Sequence, residues 1–430
     1  MNIEIKNAHV LLYEPDFRVV RQDLYIRDGV IAGVGAPPVG GFAAERVIDA
    51  AGKLVMPGLI NCHTHLYMTL LRNYADDLRF DEWLFEKIMP KEDLITPEDA
   101  YWCNLLACLE MIHTGTTCFL DMHMFKEQSI AAAQQAGLRA VMSRGIVGED
   151  AADEAGQQRI ADTMAEVERA QTCGGMVRCM LGPHAIYTCG DGLLRHLVSV
   201  AKDSGLRMHI HLSETRGEVE NCLKAHGCTP VAYLAKMGFF EVPTIAAHCV
   251  HLTDDDIGIL AQHGVHVATN PVSNMKLGNG FAPVPKLLNA GVNVCVGTDG
   301  AASNNALNMF RELSMLSYIH KGVLEDPEAM PAPVVLQCGT ANGARALGME
   351  DEIGSIAVGK RADLIFIDMA RPQLQPVNDM AAALVYAANG SEVDTVMVDG
   401  RVVMENGRVE TMDEERIFYE VGKIRDRLLG

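Results

Sequence analysis

Pro57-Gly58-Leu59-Ile60-Asn61-Cys62-His63-Thr64-His65 closes an apolar run with two histidines one residue apart. Alternate side chains of a strand share a face, so His63 and His65 can hold one metal ion between them. Two imidazoles near a turn are a modest signal alone, and their weight comes from residues further along the chain. His211 and Glu214 end one later apolar run, His248 ends the next, and Asp299 stands in Val296-Gly297-Thr298-Asp299-Gly300 after a third. Three imidazoles and a carboxylate at strand ends form a donor set that zinc uses in catalysis and that iron or manganese also accepts.

Around these residues, short β-type runs alternate with helical patterns. The runs are 54–60, 116–120, 138–142, 177–181, 207–212, 244–247, 265–269 and 292–296, eight in all. Helix entries lie between them, such as Thr96-Pro97-Glu98-Asp99 and Thr253-Asp254-Asp255-Asp256, each with a cap residue and an acidic first turn. Eight such units predict an α/β fold of the (β/α)8 TIM-barrel type, whose chemistry sits at the C-terminal ends of the strands. The polar residues fall there. His63 and His65 follow strand one, Asp121 strand two, Arg144 strand three and His184 strand four; then come His211 and Glu214, His248 and His251, Asn270, and Asp299.

The chain ends differ from this middle. Short alternating strands at 19–26, 29–35, 47–50, 363–368, 393–398 and 401–404 are broken by Asp-Gly and Asn-Gly turns. They predict a small β-sandwich built from both termini, so the expected division is 1–56 sandwich, 57–354 metal-dependent barrel, and 355–430 sandwich plus a closing helix at 412–429. The acidic stretch 149–154 reads as a solvated loop. A net charge of −20 over 430 residues argues against nucleic acid or an anionic membrane as partner and favours a small soluble substrate. The start of the chain has neither a basic n-region nor a long apolar h-region, and no apolar run is long enough to span a bilayer. The 12 cysteines are scattered through apolar segments without a CxxC pair, as reduced core thiols in a cytoplasmic protein would be. The 23 methionines read as core filler. No G-x-S-x-G elbow or P-loop is present.

Taken together, Pro57-Gly58-Leu59-Ile60-Asn61-x-His63-x-His65, His211-Leu212-Ser213-Glu214, Ala247-His248-Cys249-Val250-His251, Asn270-Pro271-x-Ser273-Asn274-x-Lys276-Leu277 and Gly297-Thr298-Asp299-Gly300 resemble the amidohydrolase superfamily. Within it the chain looks like the S-adenosylhomocysteine/5′-methylthioadenosine deaminases. The likeness runs from the first residues to about residue 405.

The resemblance implies one divalent metal ion per chain, most simply Zn2+, on His63, His65, His211 and Asp299. Strand spacing alone does not choose between His209 and His211; the resemblance selects His211. A divalent ion lowers the pKa of bound water from about 15.7 towards about 7. Strand four offers no lysine that could bridge two ions, so a single metal is expected. Glu214 is the expected proton shuttle, Asp299 the second proton acceptor, and His248 the group that orients water and stabilises charge. By the same resemblance Glu92 meets ribose hydroxyls, Trp83 packs near the purine or the 5′ group, His184 contacts the purine, Arg144 meets a substrate carboxylate, and Arg159 is the candidate for a second such arginine; His251, at the end of strand six, is also expected to bind substrate. The implied activity is hydrolytic removal of the 6-amino group of an adenosine thioether, adenosine or 5′-deoxyadenosine. The alternative is another amino- or chloro-substituted ring such as guanine, a pterin or a triazine. His113, His123, His226, His263, His266 and His320 read as surface or core residues, and Cys62 as core. Barrels of this class often assemble through helical faces, so a homo-oligomer is compatible with the sequence.

Overall fold

The computed structural model describes residues 1–14, 16–125, 127–150 and 154–430. Part of the acidic stretch 149–154 thus lies outside the described residues. Eight strands pair in parallel in chain order: Leu59–Thr64, Thr116–His123, Arg139–Ile146, Val177–Pro183, Met208–Leu212, Thr244–His248, His266–Thr269 and Val294–Val296. The ring closes where Asp299 N donates to His63 O at 2.9 Å. Asn61 reinforces the closure by donating to Thr298 Oγ1 at 2.7 Å and accepting from Thr298 N at 3.0 Å. A Cβ on Gly297 would stand 2.7 Å from the His63 backbone, so only glycine allows this approach.

The expected strand at 54–60 is two strands. Lys53–Pro57 belongs to the terminal sheet, where it pairs antiparallel with Leu364–Asp368, and Leu59–Thr64 opens the barrel. Gly58 is the break, because a Cβ there would lie 2.0 Å from Thr117 Oγ1. Both segments are apolar on both faces, so periodicity alone cannot part them. Strands two and three also run past their expected ends, which puts Asp121 and Arg144 inside strands rather than beyond them.

Hydrogen bonding joins the terminal strands in one nine-stranded mixed sheet with its own apolar core, in which Ile5, Val10, Leu24, Ile26, Leu364 and Phe366 are buried. Its longest strand, Asn2–Leu12, pairs antiparallel with Arg18–Arg27 and parallel with Lys53–Pro57. Arg139, at the base of barrel strand three, locks the sheet to the barrel. Its Nε and Nη2 donate to the two oxygens of buried Asp363 at 2.8 and 3.1 Å. Both threonine caps form as expected: Thr96 and Thr253 each close a capping box with the aspartate three residues on. The closing helix, Glu414–Leu428, packs on the barrel helix Pro97–His113, and Arg427 pairs with Asp99. All 12 cysteines are free and most are buried. Among the described residues no helix is long and apolar enough to cross a membrane.

Candidate metal centre and cavity

At the C-terminal rim of the barrel, strand geometry turns four imidazoles and one carboxylate towards a common point. His63 Nε2 and His65 Nε2 lie 3.4 and 3.3 Å from Asp299 Oδ1, and His211 Nε2 lies 3.4 Å from His65 Nε2. The rings of His63 and His248 are 5.2 Å apart. Two overlapping sets, His63 with His211 and His248, and His63 with His65 and Asp299, each bring their donor atoms within 4.8 Å of one another. His248 and Asp299 take positive φ values of 72° and 61°, strain of the sort that gathers at functional sites.

Each ring is oriented from behind through its other nitrogen. His65 Nδ1 contacts Met122 O at 2.7 Å, His211 Nδ1 contacts His184 O at 2.9 Å, and His63 Nδ1 contacts His209 Nε2 at 2.9 Å. A carbonyl acceptor fixes a proton on Nδ1 and leaves Nε2 as a lone-pair donor, as metal-binding histidines require. Among the described residues, buried His63 Nε2 has no hydrogen-bond partner. An orphaned ring nitrogen facing a carboxylate and two further Nε2 atoms fits a divalent cation. The charges agree. Burial drives His63 down to about 3 and His211 well down, so both are neutral. Burial raises Asp299, yet the facing imidazoles of His63 and His65 hold it well below the usual carboxylate range. For His65 burial works downward, but Asp299 outweighs it and lifts the ring to about 9. Positive charge is therefore favoured at the His65–Asp299 contact, the place where a cation displaces a proton.

His209 and His211 share the inward face, and the structure separates them. His211 stands with His63 and His65, whereas His209 lies behind His63 as its hydrogen-bond partner.

Residues 54–403 match the model of the amidohydrolase family. The chain belongs to this family. It is 46% identical over 435 residues to the 5-methylthioadenosine/S-adenosylhomocysteine deaminase of Caldanaerobacter subterraneus subsp. tengcongensis, covering 100% of this chain and 99% of the relative. It is 44% identical over 431 residues to the 5′-deoxyadenosine deaminase of Methanosarcina mazei, again covering 100% and 99%. An adenosine deaminase from Xanthomonas campestris, solved with bound zinc, superposes with a TM-score of 0.94 at 34% identity, covering 99% of this chain and 98% of that one.

In this amidohydrolase a cavity opens over the cluster and takes in Glu214, His248 and Asp299 as well as His65 and His211. Glu214 Oε1 accepts from Asn279 Nδ2 at 3.0 Å, Oε2 lies 3.7 Å from His248 Nε2, and burial raises its carboxyl above the usual range. His248 Nδ1 meets Asn274 Oδ1 at 2.8 Å. Asp299 Oδ2, turned away from the histidines, accepts from Ser273 and Ser303, both at 2.7 Å.

Glu92, Trp83, His184 and Arg159 line the same cavity. Glu92 is buried and accepts from Tyr67 Oη at 2.7 Å; burial raises its carboxyl. The Trp83 indole N–H is buried with no acceptor among the described residues. His184 is lowered to about 4 by burial, and its Nδ1 contacts Thr188 Oγ1 at 2.9 Å. Arg144 and His251 are not part of the wall. Arg144 turns to Asp162 and Glu166, and His251 is placed through its backbone, its N donating to Ser213 O at 2.9 Å.

Several supporting residues escaped the sequence. Ser273 and Asn274 lie inside a motif that carries the family likeness, without a role readable from spacing. Glu218 accepts from the backbone N of Ser213 and Glu214 at 2.9 and 2.8 Å and so sets the turn that aims Glu214. Its helix-start pattern, Thr215-x-x-Glu218, was readable as a capping signal. His123, expected to be an unremarked core or surface residue, lines the cavity and lies 3.4 Å from Glu166.

Proposed function

We propose that this amidohydrolase deaminates the adenine ring of an adenosine thioether, adenosine or 5′-deoxyadenosine, giving the inosine derivative and ammonia. One observation carries the reading. Glu92, a buried carboxylate suited to accept from two vicinal hydroxyls, lines the same cavity as Glu214, His248 and Asp299. A nucleoside has a sugar to meet Glu92 and a ring to meet the other three, and a bare base leaves Glu92 without a task. The names of the curated relatives agree with this.

A divalent ion, most simply zinc, held by His63, His65, His211 and Asp299 would supply an acidified water at neutral pH. The chain's own residues then move the protons. Glu214, buried and raised, takes the first proton from the water and hands it to the ring nitrogen beside C6 as the oxygen bonds to that carbon. His248 directs Nε2 at the same point and stabilises the charge that develops. Asp299, steadied by Ser273 and Ser303, takes the second proton and passes it to the departing amine. The C6–N bond breaks, ammonia leaves, and the carbonyl of the inosine ring remains.

We also read the chain as a catalytic barrel of residues 57–354 carried on a domain formed by 1–56 and 355–430, working in the cytoplasm. The test is ammonia release by purified, metal-loaded protein from adenosine, 5′-deoxyadenosine, 5′-methylthioadenosine and S-adenosylhomocysteine, alongside guanine, a pterin and a chlorotriazine. Turnover confined to the adenosine group supports the proposal. Turnover confined to the other rings overturns it.

A further inference from the structure

Asn279 is not part of the cavity wall, yet its Nδ2 donates to Glu214 Oε1 at 3.0 Å. The two carboxylate oxygens of Glu214 therefore have different surroundings. Oε1 faces an amide behind the wall, whereas Oε2 lies 3.7 Å from Nε2 of His248, which lines the cavity. Asn279 and Glu214 are both buried, and in so low a dielectric a single N–H acts strongly on a carboxylate.

The chain around Asn279 is built to hold that amide still. Its backbone N donates to Asn274 O at 2.8 Å, and the His251 ring hydrogen-bonds its backbone from outside the cavity. Gly278 and Gly280 flank it at φ of 71° and 109°, where a side chain would be strained. Asn274 in turn meets His248 Nδ1 through its own side chain at 2.8 Å. Segment 274–279 thus grips His248 with one amide and Glu214 with another. It sets the spacing of two groups that the reaction uses together.

An amide N–H donates and cannot accept, so it opposes a proton on the oxygen it meets. Resting on the deaminase reading, we propose that Asn279 is a positioning residue that confines the shuttled proton to Glu214 Oε2, the oxygen on the His248 side. The O–H bond of the water breaks as Oε2–H forms, and Oε2–H breaks as the proton passes to the ring nitrogen. Oε1 stays unprotonated throughout and serves as the anchor. Without the amide the carboxylate can rotate, either oxygen can take the proton, and the anion loses a donor.

The experiment measures kcat, KM, pH profile and metal content with 5′-methylthioadenosine, in the metal-loaded full chain and in two variants. Asn279→Leu keeps the size of the side chain and removes its donor. Its kcat should fall about 10- to 100-fold, with KM changed less than about threefold and metal content unchanged. The acidic limb of kcat/KM should move up by about one pH unit, because loss of a donor to the charged carboxylate favours its protonation. His248, His65, Asp299, Glu218 and Tyr187 are the titratable groups around Glu214, and all remain in both variants. Asn279→Asp keeps the shape, but a carboxyl there would share a proton with Oε1 and draw it to the wrong oxygen, so kcat should fall about tenfold or more. A purely structural role would spare Asn279→Asp and leave the limb in place. A folded Asn279→Leu protein with an unmoved limb, or Asn279→Asp within about twofold of wild type, overturns the proposal and leaves the deaminase reading standing. If Asn279→Leu does not fold, Asn279→Asp decides. A wild type silent on every adenosine compound overturns the deaminase reading and this proposal with it.

Discussion

Ser273→Ala removes one of two hydroxyls that donate to Asp299 Oδ2, each at 2.7 Å and each buried. A hydrogen bond to a charged group is worth about 1.5–3 kcal/mol, which corresponds to roughly 10- to 150-fold in an equilibrium constant. Ser303 keeps its own bond to the same oxygen, so the single variant should sit near the lower end. The lost bond also frees the carboxylate to rotate and makes its proton harder to displace, so both metal affinity and turnover should fall. About tenfold is expected in each, in line with the 10- to 100-fold cost of removing a group that orients a metal ligand. Ser273→Ala with Ser303→Ala should approach about 100-fold, and the effects need not add because the two hydroxyls also lie 3.0 Å from each other. Metal affinity is read by competition with a chromophoric chelator, and kcat/KM by ammonia release from 5′-methylthioadenosine. If both stay within about twofold of wild type in the double variant, Asp299 is not held as argued and its assigned role fails.

Glu214→Gln preserves size and the contact with Asn279 but cannot take a proton, so kcat should fall by about 10²–10⁴ with metal content unchanged; turnover near wild type would remove Glu214 from the proton path. Burial raises the Glu214 carboxyl, and a base must be ionised to act. Activity should therefore fall as pH drops, and the acidic limb of kcat/KM should lie above the pH expected for an exposed glutamate; a limb at ordinary carboxylate pH would contradict the environment assigned to it. Asp363→Ala leaves the buried Arg139 guanidinium with the longer 3.4 Å contact to the more exposed Asp399 and should cost about 3 kcal/mol in denaturant unfolding, whereas a loss below about 1 kcal/mol would mean the bidentate pair does not lock the two sheets.

Which parts of the site were legible depends on the range of the physics involved. His63 and His65 could be read because one strand fixes their relation, and Asp299 and His248 because each ends an apolar run at the rim of a barrel. His209 and His211 could not be told apart, since both point inward on one strand and only the neighbouring strands decide which reaches the centre. The same limit separates Arg144 from Arg159. Whether a guanidinium faces the cavity depends on carboxylates a helix away, and Asp162 and Glu166 draw Arg144 back while Arg159 stays in the wall. Gly58 hid the boundary between sheet and barrel because apolar residues run unbroken on either side of it. Ser273 and Ser303 meet on one carboxylate only through the tertiary fold, from short helices after strands seven and eight.

The most direct measurement is ammonia release from 5′-methylthioadenosine by the full-length protein, as purified, after chelation, and after titration with a divalent metal. The account predicts equimolar ammonia and inosine derivative, loss of turnover on chelation, and full recovery at about one ion per chain. Turnover that survives chelation, or its absence with one ion bound per chain, would contradict it.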